Sequence, residues 1–200
     1  MPRSRKQNEE IKKVMINKIR EAGLKLFSQK GLVATSIIDI AEKAGISVGL
    51  LYHYYRSKED LYSELIGIAI NESTEAVKII NSMETTPMEK INIFTERILN
   101  ETSNHDRTFR FFLLVTQALL GTDLPEKAKG HLQNAYESLN IMESIILDGQ
   151  IRNEIKEGNT NMLTTLFLAS INGICTYKLM MGEHFTLPET SMITILLSKK

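Results

Sequence analysis

The 200-residue chain has one cysteine, Cys175, no tryptophan, four prolines and 6% aromatic residues. A lone thiol forms no internal disulfide, which excludes a disulfide-stapled secreted scaffold and leads us to expect a cytoplasmic protein. Scarce proline and aromatics, beside plentiful Ile, Leu, Met, Lys and Glu, favour helices over sheets. Long hydrophobic runs are also missing. The longest, at 111–115 and 193–197, fall far short of the roughly 20 residues that span a bilayer, so no membrane partner is expected. The basic cluster Arg3, Arg5 and Lys6 is followed by polar residues rather than by the apolar core of an export signal. His53, His105, His131 and His184 share no metal-ligand spacing, and no nucleophile elbow, phosphate-binding glycine loop or HExxH segment occurs. We therefore expect no metal, no cofactor, no catalytic residues and no enzyme activity.

Net charge is zero, but it is unevenly spread: residues 1–60 hold 12 Lys or Arg against 7 Asp or Glu, and residues 61–200 hold 12 against 17. A polyanion is drawn to the N-terminal third. With 42% hydrophobic residues the chain can bury one large core, or a small domain joined to a medium one. The pattern predicts an all-α fold. Ile11, Met15, Ile19, Ala22, Leu26 and Phe27 recur at helical spacing from near Glu9, and Gly31 ends that helix with a left-handed residue. Ser36, answered by Asp39, caps a short second helix that Gly45 terminates. Ser47 caps a third, over about 48–55, and Ser57 with Asp60 launches a longer fourth through Leu61, Leu65 and Ile68. Further helices are expected at 87–103, 107–120, 125–156 with a break near Gly130, 159–181 and 188–197.

Two short helices joined by a tight glycine turn, the second exposing polar and aromatic groups, meet the physical requirements of a helix-turn-helix that reads DNA. Ile37, Ile40, Ala41, Ile46 and Leu51 form its small core. Ser47, Val48, Gly49, Tyr52, His53 and Tyr54 are left to face a major groove, while Tyr55 is expected to pack inward. With no Arg among them, apolar contacts, hydroxyls and DNA shape would carry specificity. For phosphates we expect the amides and hydroxyls of Thr35 and Ser36, the basic tail, and Lys58 at the start of the fourth helix. A lysine there opposes the helix dipole unless an anion offsets it.

The pieces Ala22-Gly23-x-x-Leu26-Phe27, Gly31, Thr35-Ser36, Ile40-Ala41-x-x-Ala44-Gly45-Ile46-Ser47, Gly49-x-Leu51-Tyr52-x-Tyr54-Tyr55 and Ser57-Lys58-Glu59-x-Leu61 resemble the TetR family of transcription regulators across about residues 9–65. The resemblance implies an all-α homodimer that binds a double-stranded DNA operator, its last two long helices forming the dimer interface. By position it assigns DNA contacts to Thr35, Ser36, Ser47, Val48, Gly49, Tyr52, His53, Tyr54 and Lys58. Leu50 departs from the small or polar residue frequent in the family.

Residues 1–60 are accordingly expected to be the DNA-binding domain, and residues 61–200 a helical domain for dimerisation and for a small-molecule effector. Methionines after residue 80 and the few charges within 107–120 and 162–182 suit a hydrophobic or amphipathic effector. Candidate lining residues are Phe94, Phe109, Phe112, Tyr136, Met142, Phe167 and Tyr177, with Arg107, Arg110, His131 and Lys178 as polar anchors. Ala169, Ser170 and Gly173 would let another helix approach closely. The expected function is a repressor released from its operator by the effector. The alternative is an all-helical enzyme or carrier whose N-terminal helices only pack.

Overall fold

A computed structural model describes residues 5–99 and 106–199. Arg3, the Arg5 side chain, residues 100–103 of the expected fifth helix and His105 lie outside the described residues.

The chain is all-α. Helix α1 (Arg5–Ala34) buries Ile19, Ala22, Leu26 and Phe27, the stripe that its periodicity marks. Phe27 is wholly enclosed and meets Tyr62 edge-to-face at 5.2 Å. At Gly31 the backbone takes φ 75°, ψ 172°, a region closed to side-chain-bearing residues, so α1 kinks there before one last turn. Helices α2 (Ile37–Ala44), α3 (Val48–Tyr54) and α4 (Lys58–Asn81) follow. Around α4 stand α5 (Pro87–Leu99), α6 (Arg107–Leu120), α7 (Glu126–Gln133), α8 (Ala135–Ile151) and α9 (Thr160–Met181), then a 3-10 turn and the short α10 (Thr190–Thr194).

The expected helix over 125–156 is two. Its break falls at Asn134 rather than near Gly130, and the His131 ring lies over Gly67 of α4, where a Cβ would come within 2.9 Å of it. The second piece also stops early. At Asn153 φ turns positive (64°), and Ile155 folds back onto Gly149, where a Cβ would approach Ile155 Cδ1 to 2.5 Å. The last expected helix shrinks to Thr190–Thr194 because the chain then pairs with the α8–α9 loop: Lys156 N donates to Leu197 O at 3.0 Å.

Two apolar clusters organise the fold. One joins α1, α2 and α3 to the first half of α4 and to Phe111, Leu114 and Ala118 of α6. The other gathers the end of α4 with α5, α8, α9 and α10. Helices α4 and α6 therefore touch both the N-terminal helices and the body. No described helix is long and apolar enough to cross a membrane.

Candidate nucleic-acid interface and apolar pocket

Local capping sets the geometry of α2 and α3. Ser36 N donates to Asp39 Oδ2 at 3.0 Å and Asp39 N donates to Ser36 Oγ at 3.1 Å, a reciprocal box that fixes the start of α2. The Ser36 amide first, then its hydroxyl, hold the Asp39 carboxyl below its ordinary range, with Lys30 at 3.8 Å adding to the effect. Gly45 closes α2 in the left-handed conformation, φ 65°, ψ 40°, and the chain re-enters α3 at Ser47, whose Oγ accepts from Leu50 N at 3.2 Å.

This leaves α3 with one face anchored. Leu51 is fully buried and Tyr55 nearly so. The Tyr55 phenol is held above its ordinary pKa range, by burial first and then by Glu64. Glu64 also accepts from Arg20 at 2.5 Å, so α1, α4 and the exit of α3 meet in one polar knot. The sequence reading missed Arg20 and Glu64 because the partners lie 44 residues apart. On the other face Ser47, Gly49, Tyr52 (53% exposed) and His53 stand open. A Cβ on Gly49 would meet nothing within 4 Å. Val48 and Tyr54 are half-buried against the core, and the Tyr54 ring is edge-on to His53 at 5.2 Å, so both are less available than expected.

The expected phosphate donors divide. Ser36 is exposed, and its hydroxyl accepts from Asp39 N within the capping box. Thr35 is buried, its hydroxyl donating to Gly31 O at 2.7 Å and its amide to Leu32 O at 3.4 Å, so neither is the open donor predicted from sequence. Lys58 differs as well. Its Nζ donates to Leu32 O (2.8 Å), Val33 O (3.2 Å) and Thr35 O (2.7 Å). These carbonyls offset the charge that opposes the α4 dipole, and Lys58 pins the end of α1 to the start of α4.

Behind this head lies a cavity of about 820 Å³, within the usual range for small-molecule sites. Helices α4, α5, α6, α8 and α9 wall it. Of the expected lining residues Phe94, Phe112 and Met142 do face it. Phe109 and Phe167 are buried in the packed cluster beside it, and Tyr136 and Tyr177 are on the surface, 67% and 56% exposed. Apolar helix positions alone do not tell wall from core from surface, which explains these misses. None of the expected polar anchors lines the cavity: Arg107 stands behind its wall, in a two-point pair with the lining residue Glu72 and over the ring of the lining residue Phe111, while Arg110 is at Ser28, His131 over Gly67, and Lys178 on the Gly182 and Phe185 carbonyls. The cavity's polar lining comes instead from residues such as Thr116, Asn172, Ser73 and Arg97. Thr116 Oγ1 lies 3.1 Å from Asn172 Oδ1, linking α6 to α9.

Comparison with known proteins agrees with this geometry. Residues 19–65 match the family described as bacterial regulatory proteins, tetR family. The HTH-type transcriptional repressor KstR2 of Mycolicibacterium smegmatis is 36% identical over 66 residues, 33% of this chain and 32% of that protein. Such matches span about a third or less of the first curated relatives' length. The fatty acid metabolism regulator protein of Bacillus subtilis aligns over 84% of this chain and 86% of its own, at 24% identity. The crystal structure of the MbdR regulator from Azoarcus sp. CIB superposes with a TM-score of 0.77, covering 92% of this chain and 97% of that one, at 19% identity, and shares the fold. Residues 19–65, which contain the α2–α3 unit, thus match the tetR family of bacterial regulatory proteins, and the chain as a whole shares the fold of that solved structure.

Proposed function

We propose that this protein is a dimeric, DNA-binding transcription repressor whose grip on its operator is released by a hydrophobic or amphipathic small molecule in the α4–α9 cavity. Residues 1–60 serve as the DNA-reading part and residues 61–200 as the sensing and pairing part, in a cytoplasmic protein. The observation that carries the reading is the α3 helix itself. It is capped at Ser47, held from behind by Leu51 and Tyr55, and open to solvent along Ser47, Gly49, Tyr52 and His53. A rigid helix with an open polar and aromatic face is what a major groove accepts.

Support for pairing comes from α8 and α9. Met162, Leu166, Ala169, Tyr177 and Met180 form an exposed stripe along α9, and Leu147 and Ile151 an exposed edge of α8. Such a surface suits a two-fold four-helix contact that sets the two heads about 34–36 Å apart, one turn of DNA. The cavity is predominantly apolar with a few hydroxyl and amide groups and the charged Glu72, Glu96 and Arg97, which supports an amphipathic effector, and the Bacillus subtilis relative is named for fatty acid metabolism. Thr35, Val48, Tyr54 and Lys58 then act by shaping the head, and Ser36, Ser47, Gly49, Tyr52 and His53 make the contacts.

The test is selection of binding duplexes from a random library. The purified protein should enrich an inverted repeat, and Tyr52→Ala should weaken that duplex by about 5- to 100-fold, the ordinary value of one lost base or phosphate contact. Failure to enrich any duplex at low salt, together with turnover or tight carriage of a small molecule, would favour the enzyme or carrier instead.

A further inference from the structure

At the far end of α2 from Ser36, cations from three helices converge where α1, α2 and α6 meet. Arg110 of α6 is the first. Its Nη1 donates to Ser28 Oγ at 3.3 Å, while that hydroxyl's own proton goes to Lys25 O at 3.1 Å, so α6 reaches α1 through a neutral group. Lys25, one turn before Ser28 on α1, is the second. The third comes from α2, which runs back along α1. Lys30 of α1 lies 3.8 Å from Asp39 of α2, and about one turn further along that opposed pairing Lys25 meets the exposed Lys43. The Lys25 ammonium is held below its ordinary pKa range, by the charge and close approach of Lys43 first, then by burial and Arg110, with Asp106 opposing least.

The charges at this junction do not balance. Elsewhere cations meet carboxylates closely: Arg20 on Glu64 at 2.5 Å, Arg107 on Glu72 at 2.8 Å, and both Lys78 on Glu137 and Lys127 on Asp60 at 2.7 Å. The Arg110 side chain is more buried than any of these, 15% exposed against 33–73%, yet its carboxylate, Asp106, stands at 3.6 Å, beyond a hydrogen bond. Burial first, with Asp106 opposing, holds that guanidinium below its ordinary range. Among the described residues no carboxylate forms an ion pair with Lys25 or Lys43. Three positive charges therefore face one carboxylate, and most of the five guanidinium donors have no strong acceptor. A phosphate group carries what is missing: a double negative charge, two oxygens for the guanidinium fork, and further oxygens for two ammonium groups. None of the three cations lines the apolar pocket, whose wall on α6 is formed by residues such as Phe112 and Thr116.

We propose that Arg110, Lys25 and Lys43 form a second binding site, which takes the phosphate group of a small molecule and is separate from the apolar pocket. Arg110 supplies the fork, with Ser28 behind it setting its angle, and the two lysines close on the remaining oxygens. Inorganic phosphate or a phosphate monoester suits three cations better than a carboxylate, whose two oxygens the fork alone would occupy. The bound group would join α2 to α6 and so stabilise the folded chain. The DNA backbone carries the same group, so the experiment separates the two sources. The site needs neither the effector nor the operator proposed above.

The probe is inorganic phosphate, titrated into the full-length protein while sodium chloride holds the ionic strength constant, and read by calorimetry and by melting temperature. The parent chain should bind it saturably, one per chain. Lys43→Gln removes the like-charge contact at an exposed position, so without phosphate it should melt at the parent's temperature or above it. Its affinity for phosphate should nevertheless fall by about tenfold or more, the ordinary loss for one charge-assisted contact. Arg110→Lys, which keeps the charge but loses the fork, should weaken phosphate by a similar factor. A general salting effect of phosphate would raise all three melting temperatures alike, and that result overturns the site, as does failure of the parent chain to saturate. The second arm uses a random-sequence duplex at low salt. Parent and Lys43→Gln should bind it with equal affinity and an equal slope of log K against log salt. A slope lower by about one in the variant would give these cations to the DNA backbone and overturn the small-molecule site. Absence of any duplex binding would defeat the repressor reading and leave the phosphate titration decisive.

Discussion

At the scale of single residues, Lys58 shows how a position matched to a DNA contact can do other work. Its ammonium is surrounded by three carbonyl oxygens at 2.7–3.2 Å, so transferring it to a phosphate would strand those acceptors. Lys58→Met should therefore destabilise the head, by about 1.5–3 kcal/mol for hydrogen bonds to a charged group, and weaken duplex binding through misplacement of α2 and α3. The discriminating measurement is salt dependence. A residue that neutralises a phosphate lowers the slope of log K against log salt by about one when removed, whereas a pin leaves the slope unchanged. We expect an unchanged slope together with a lower melting temperature. A slope reduced by one at unaltered stability would restore Lys58 to the phosphate contacts. The same reasoning separates Ser36, which is exposed, from its neighbour Thr35, which is buried with its hydroxyl donating to Gly31 O.

At the scale of helices, α9 carries the prediction about assembly. A Cβ on Gly173 would meet nothing within 4 Å, and Ala169, one turn earlier, is exposed. Gly173→Glu should therefore be harmless to an isolated chain, and by helix propensity slightly favourable to α9, yet it would set a charge in the middle of a two-fold apolar contact. Light scattering should report a dimer for the parent chain and a monomer for this variant, with circular dichroism unchanged. A variant that stays dimeric would move the interface off α9. This scale also shows what sequence can and cannot yield. The serine caps at 36, 47 and 57 and the glycine exit at 45 were readable because each is decided within four residues of itself, whereas the left-handed stop expected at Gly31 is instead a kink at φ 75°, ψ 172° after which α1 resumes to Ala34. The α7–α8 break and the early end of α8 were not, since they depend on His131 meeting Gly67 and Ile155 meeting Gly149. The site divides the same way. Tyr52 and His53 follow from position on a capped helix, but the fates of Thr35, Lys58, Phe109 and Tyr177 depend on neighbours far along the chain or on other helices.

At the scale of the molecule, α4 and α6 touch both the head and the cavity-bearing body, and the proposed repressor places effector and operator in one thermodynamic cycle. Whatever binds the cavity more tightly in the released form must weaken operator binding by the same factor with which operator weakens it, commonly 5- to 150-fold. An effector with no preference between the two forms would stabilise the protein and change nothing at the operator. This separates true effectors from mere occupants in a thermal screen of amphipathic compounds. Any occupant at 100 times its Kd adds about 2.7 kcal/mol to the folded state and raises the melting temperature. Only an effector should also lose that gain in proportion when the selected duplex is present in excess. Ala76→Phe supplies the control, because bulk from α4 fills the space that five helices leave open, and the thermal shift should vanish there for every true cavity ligand. A compound that shifts the filled variant as much as the parent chain binds elsewhere. If every active compound behaved so, the 820 Å³ space would be a packing defect rather than a sensor.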